Sequence, residues 1–359
     1  MGVLVLAGTR KGLFLLSSDE GRRSWEIEGP LLAGWEIMHA VVDPRDGALY
    51  ACSTHFVYGA TVHRSVDGGK TWERAEQIGL PEESGLTLEK LWHLRPGHES
   101  RPGEIWLGGT PGCLLRSGDS GKSWVAVQSL LEHRTRERWQ PGAGGMCCHS
   151  IQLDPDDADR LYVAISAAGA FRTDNGGSTW APINKDVAAD FAPAPYPEVG
   201  QCVHKLLVHP ARPERLWQQN HCGVYRSDDR GDTWERLDKN GLPSDFGFPI
   251  LIHPRDPNTA LVIPEAGAEN RVTVDGRLGV YRTRDAGASW ELASKGLPER
   301  AWAVILREAS ASDTLDPAGV YFGTQSGSVW ASPSEGDDWI EAATGLPPVL
   351  SVEVAEWAS

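Results

Sequence analysis

Short apolar runs of period two alternate with polar turns along almost the whole chain. Runs such as "VLVLAGT" (3–9), "GLFLLSS" (12–18), "LYVAI" (161–165) and "LWQQN" (216–220) are bounded by Gly, Pro, Asp and Asn, which is the pattern of half-buried β-strands. One order of segments recurs. An alternating strand is followed by a turn such as "DPDDADR" or "HPARPER", a second strand, a glycine turn, a third strand, and a polar box that ends on tryptophan. The first box is "RSVDGGKTW" (64–72).

Copies of this box are "RSGDSGKSW", "RTDNGGSTW", "RSDDRGDTW", "RTRDAGASW" and a degraded "ASPSEGDDW", and "LSSDEGRRSW" near the start carries one extra residue. From Trp72 the closing tryptophans are separated by 52, 56, 54, 56 and 49 residues, a period suited to one four-stranded antiparallel sheet per repeat. The expected fold class is all-β: a seven-bladed β-propeller forming one domain over 1–359. The expected blades are about 33–78, 86–130, 144–184, 199–240, 245–294, 300–343, and 346–359 together with 1–28. In the last of these, "LPPVLSVEVAE" supplies the innermost strand and the N-terminus the other three, so that pairing of the two termini leaves no free edge.

Within the box, Asp67 is placed to accept turn amides, Gly69 to take a positive φ, Ser65 and Thr71 to bond across the hairpin, and Trp72 to pack between layers. Asn175 and Ser334 stand where the other copies carry Asp. A turn acceptor tolerates that exchange and a catalytic acid does not. The boxes, with Asp67, Asp119, Asn175, Asp229 and Asp285 and with Trp72, Trp124, Trp180, Trp234 and Trp290, are therefore read as scaffold.

The pattern S/T-x-D-x-G-x-S/T-W resembles the Asp box of BNR-repeat proteins, and the repeats cover nearly the whole chain. The resemblance implies the propeller but not one activity, because that group includes sialidases, a xyloglucan-acting glycosidase family, sortilin-like receptors and a photosystem II assembly factor. A sialidase would also need an arginine triad and an Arg-Ile-Pro type motif near its start, and no such motif is present.

Composition narrows the partners. The 359 residues carry a formal charge of −15 with no Lys/Arg-rich run, which disfavours nucleic acid. No stretch reaches the ~18 uninterrupted apolar residues of a membrane helix, and the first residues lack the features of a signal peptide. The expectation is a cytoplasmic, soluble monomer or weak oligomer. Its six cysteines should remain reduced.

Function is expected at the face bearing the loops that lead into each blade and the turns between second and third strands. His93, His149 and His204 each stand 12 residues before a second strand, which suggests one position repeated three times, with His39 close to it in the preceding blade. Cys147 and Cys202 precede two of these histidines by two residues, and Cys222 adjoins His221 in the turn "NHCG". Imidazole and thiolate from several strands could hold Zn, Cu or Fe. Duplication of one structural histidine would give the same pattern.

Arg10, Lys11, His55, Tyr58, Trp139 and His221 are candidate ligand contacts on this face, and Glu36, Glu89 and Glu198 are candidate carboxyls for glycoside chemistry, which needs two. Loops 126–145 and 182–200 would form a rim. The reading is a pocket that binds or acts on a small polar, carbohydrate-like molecule, with metal assistance open. A non-enzymatic protein-interaction scaffold and a glycoside hydrolase are the alternatives.

Overall fold

In the computed structural model, which describes residues 1–357, seven four-stranded antiparallel sheets form a ring. The innermost strands are Glu36–Val42, Lys90–Pro96, Cys147–Asp154, Val203–His209, Gly247–Ile252, Ser310–Ser312 and Val349–Trp357. The last of these pairs antiparallel with Gly2–Thr9, which continues into Gly12–Asp19 and Glu26–Leu31. The two termini thus share one blade. Residues 358 and 359 of the expected closing blade lie outside the described residues.

Why seven blades pack into one ring is visible at one shared ladder position of the second strands. Tyr50, Trp106, Tyr162, Trp217, Leu261 and Tyr321 occupy that place in six consecutive blades, and all are buried. Each fills the space between neighbouring sheets, where full burial of such a side chain stabilises by about 1.5–3 kcal/mol. Across the ladder from the first five lie Arg64, Arg116, Arg172, Arg226 and Arg282, the arginines that begin each box.

Four of these arginines connect neighbouring boxes, whereas Arg116 pairs with Glu104 of its own blade. Arg172 donates to the carbonyl of Arg230 at 2.9 Å, Arg226 to that of Ala286, and Arg282 to that of Glu335 at 2.8 Å. Arg64 reaches the equivalent carbonyl of Ser120 through the Tyr50 hydroxyl. Ser120, Arg230, Ala286 and Glu335 are all left-handed, with φ of 56–61°, and the glycine after each has φ of 83–94°. That consecutive left-handed pair needs the glycine, and it is the first of the two residues whose carbonyl the next blade's arginine binds.

Inside the box, Asp67 accepts from the Thr71 amide at 2.9 Å and the Thr71 hydroxyl at 2.6 Å, while the Ser65 hydroxyl donates to it at 2.8 Å. The Thr71 hydroxyl and amide and then the Ser65 hydroxyl hold its carboxyl down at about 2. Asn175 accepts the Thr179 amide at 2.9 Å, and the Ser334 hydroxyl accepts the Asp338 amide at 3.1 Å. The indoles of Trp234, Trp290 and Trp339 donate to carbonyls of the preceding blade, Ile183, Leu237 and Ala293. The box contacts thus stay within the box, as for Asp67, within its own blade, as for Asp174 with Arg160, or reach a neighbouring blade.

This makes a prediction for Asp229, which accepts from the Ser227 hydroxyl and from the amide and hydroxyl of Thr233. Asp229→Ala should lower unfolding stability by about 1 kcal/mol, the loss being limited by solvent competition. Asp229→Asn should lie within about 0.5 kcal/mol of the parent, as Asn175 already serves in another blade. Urea denaturation of the two variants reads the difference.

Candidate functional site

The inner strands contain a β-bulge near their start, and it decides where the histidines point. The ladder shifts between Ile37 and His39, between Leu91 and His93, between Cys148 and Ser150, and between Val203 and Lys205. Aligned by their partners, His39, His93, Ser150 and Lys205 share one position, each facing the fourth residue of its second strand as counted from Leu49, Ile105, Leu161 and Leu216. His149 and His204 instead sit within the bulge, where the earlier blades have Met38 and Trp92. The shared spacing of 12 residues therefore does not mark one position, because the turn before Ile105 is one residue longer than those before Leu161 and Leu216. A one-residue slip moves a side chain to another face.

Two separate groups result. In the central channel, His39 Nε2 lies 3.1 Å from Glu353 Oε1, His93 Nδ1 lies 3.3 Å from Glu308 Oε2, and the Lys205 ammonium lies 3.4 Å from the same Glu308 oxygen. The His39 and His93 rings are 4.3 Å apart. The Leu94 amide donates to His39 Nδ1 at 3.3 Å, so His39 carries its proton on Nε2 and has no lone pair to spare. Burial pushes His93 below the usual imidazole range against the pull of Glu308. The neighbouring Lys205 ammonium, followed by His93, holds Glu308 low despite its burial.

The second group lines a cavity of about 620 Å³ on the face expected for function. Its walls are the 138–145 and 191–200 segments, as the two long loops suggest, and its floor carries Cys147, Cys202, His204, His221 and Phe248. One ligand atom each from Cys202, His204 and His221 lie within 4.8 Å of one another. His204 Nδ1 donates to the Gly247 carbonyl at 2.6 Å, which leaves Nε2 with a free lone pair. Phe246 meets both imidazoles edge-on, and Phe191 meets that of His221.

His149 does not join them. Its Nε2 donates to the Val203 carbonyl at 2.8 Å and its Nδ1 accepts from Ser150 at 3.2 Å, so both nitrogens are engaged, and burial drives it well below the usual imidazole range. Cys147 donates to the carbonyls of Gly144 and Gly145, and Cys222 is buried outside the cavity wall. Burial pushes the Cys202 thiol up, with Arg307 opposing the shift.

Other expected contacts are scattered. Trp139 is buried against Phe171 with its indole donating to Thr135, so it anchors the loop from beneath. In a different blade's turn Tyr58 stacks on Trp35 and His55 packs against it at a tilt, and Arg10 and Lys11 are exposed in the Thr9–Gly12 turn. Neither pair lines the cavity. The three glutamates do not face one another: Glu36 pairs with Lys90 at 2.6 Å, Glu89 is exposed, and Glu198 is clasped by Arg134 and Arg138, which hold it at about 2.

The cavity also contains residues that sequence reasoning missed. Arg271 and Arg307 both line it, and their guanidinium carbons approach the Phe248 ring centroid at 5.7 and 5.5 Å. Among the described residues neither has a carboxylate partner, and the cavity wall contains no Asp or Glu. Arg307 lies one residue before Glu308 in a segment with little strand pattern, and Arg271 lies in an irregular loop, so neither had a repeat position to flag it. Close by, Glu265 is buried, and burial raises it to about 7 against the opposing pull of the Ile305 backbone and the Arg271 charge.

No known family model matches the chain. An oligoxyloglucan-reducing end-specific xyloglucanase of Emericella nidulans is 30% identical over 153 residues, covering 40% of this chain and 17% of that protein. A xyloglucanase of a Paenibacillus species is 24% identical over 206 residues, covering 52% and 18%. The chain thus spans less than a fifth of the length of these relatives. Among solved structures, an ancestral GH74 enzyme superposes with a TM-score of 0.58 at 16% identity, over 82% of this chain and 36% of that one. YCF48 from Cyanidioschyzon merolae gives 0.56 at 16%, over 88% and 90%. At these identities the likeness is one of fold, a seven-bladed propeller.

The buried imidazoles make stability acid-sensitive. Burial, with Arg74 nearby, lowers His63 to about 4, against about 6.5 in the unfolded chain. The unfolded state then binds more protons between those values, so the contribution of His63 is complete above pH 6.5 and is lost as pH falls toward 4. Thermal unfolding at pH 7 and 5.5 should show a decline in stability that His63→Asn reduces by about 1 kcal/mol.

Proposed function

We propose that the chain is a ligand-binding propeller whose cavity takes a small anionic molecule of carbohydrate size, a sugar acid or phosphorylated sugar. The observation that carries this reading is the pair Arg271 and Arg307, brought to one aromatic ring with no carboxylate in ion-pair contact among the described residues and on a wall free of carboxylates. Two like charges so placed repel each other, and an anion between them relieves that cost. In a chain of formal charge −15, such a patch is a local inversion of the overall field. Phe248 and Phe191 offer faces for the carbon skeleton of a sugar. The relatives named as xyloglucanases support a carbohydrate, while the arginines ask for a charged one.

A glycosidase reading is favoured by Glu265, a carboxyl that burial raises to about 7, so that it holds a proton into the neutral range as a general acid must. Glu265 lies outside the cavity wall, which carries no carboxylate at all, and for that reason this reading ranks below binding.

Calorimetric titration with a sugar acid, a phosphorylated sugar and their neutral counterparts tests the first reading. The anionic compounds should bind, more weakly as salt rises, and Arg307→Ala should weaken them about 30-fold or more, equivalent to about 2 kcal/mol. Equal binding of neutral sugars, or no binding across the panel, overturns it. Release of reducing sugar from xyloglucan oligosaccharides, abolished by Glu265→Gln, would establish the second.

A further inference from the structure

We infer that Cys202, His204 and His221 hold a single zinc ion at the floor of the cavity, with a coordination position open toward Arg271 and Arg307. The inference deepens the pocket reading and rests on it only for what occupies the open position.

Three features single out this cluster. The ligand atoms already lie within 4.8 Å of one another, and zinc–sulfur and zinc–nitrogen bonds of ~2.3 and ~2.0–2.1 Å would draw them together by roughly an ångström. His221 lies in the turn joining Asn220 to Gly223 and is half-buried, so it can make that move. The Gly247 carbonyl takes the Nδ1 proton of His204, which fixes the tautomer with Nε2 free and orients the ring, as the far nitrogen of a zinc-bound imidazole usually requires. Among the described residues neither ring nitrogen of His221 is hydrogen-bonded, although the ring is held by Phe191 and Phe246.

The channel group fails the same test. A metal on His39 Nε2 would force a proton onto Nδ1, where the Leu94 amide already donates, and the Lys205 ammonium lies 3.4 Å from the Glu308 oxygen. His149 has no free nitrogen. One thiolate with two imidazoles is a donor set that zinc accepts while keeping a fourth position for water or ligand. Binding exchanges the Cys202 thiol proton, released to solvent, for the metal, with no change of oxidation state. Zinc with one thiolate leaves a net positive centre beside two guanidinium groups, which suits an anionic oxygen in the open position.

The test uses full-length protein purified without a metal-affinity tag, stripped with chelator and titrated with zinc chloride, with cobalt(II) as the spectroscopic probe. One zinc per chain should bind, and the cobalt form should show a thiolate-to-metal charge-transfer band. Cys202→Ser should abolish the band and weaken zinc about 100-fold or more, and His221→Ala should weaken it at least about tenfold. His149→Gln and His39→Gln should bind as the parent does. Should Cys202→Ser not fold, protection of Cys202 from alkylation by added zinc in the parent protein, read by peptide mass mapping, decides the same point. No zinc uptake by the folded parent, uptake unaffected by Cys202→Ser, or uptake abolished by His39→Gln overturns the inference. Arg307→Ala separates the two readings, since it should abolish anion binding and leave zinc in place.

Discussion

The ring depends on one pairing: Val349–Trp357 against Gly2–Thr9, with Val5 opposite Val354. A propeller of open sheets would expose two edges and leave the first and last blades packed on one side only. Closing it through both termini means that no blade can shift radially without straining every interface. Arg22 and Asp313 reinforce the closure, a buried pair at 2.9 Å between the terminal blade and its neighbour, and Asp313 also accepts from the Tyr321 hydroxyl. Closure also creates the channel, where His39 from one blade meets Glu353 from the closing strand.

How much of this was legible in the sequence follows from what repeats. The boxes recur because each must make the same turn, so the blades, their number and the structural role of Asp67 could be read from spacing alone. The arginine that opens the box was equally visible, yet its work lies between blades, and no pattern along one repeat reveals a partner that sits in the next. The histidines show the opposite failure. Equal spacing suggested equal position, but the turn before Ile105 is one residue longer, and the bulge places His149 and His204 one step from the register of His39 and His93. The bulge is common to all four strands, and counting along a chain cannot show that one turn is a residue longer than its equivalents.

The cavity was legible in outline and obscure in charge. Its rim came from the two long loops, and Cys202, His204 and His221 were all expected on this face. Of the three glutamates, none lines the cavity: Glu36 is spent on Lys90, Glu198 on Arg134 and Arg138 across the rim, and Glu89 is exposed. Arg271 and Arg307 come from the fifth and sixth blades, where the repeat is most degraded: the loop between second and third strands runs from Pro264 to Tyr281, and the inner strand of the sixth blade is reduced to Ser310–Ser312. Irregularity that weakens a repeat signal also frees the backbone to aim side chains off the regular ladder.

That division has a physical logic. A blade that obeys the repeat spends its polar groups on its neighbours, as the boxes do with their arginines, carboxylates and indoles. Groups remain available for a ligand only where the pattern breaks, at the bulge of the fourth blade and in the loops of the fifth and sixth. His204 illustrates both halves: the bulge turns it out of the channel register, and the Gly247 carbonyl, from the bulged start of the next inner strand, fixes which nitrogen it presents to the cavity. His149, in the same bulge one blade earlier, meets the Val203 carbonyl and the Ser150 hydroxyl instead and is consumed by the scaffold. The same residue type in the same local geometry is structural in one blade and available for chemistry in the next, and the difference is what the neighbouring strand offers its two nitrogens.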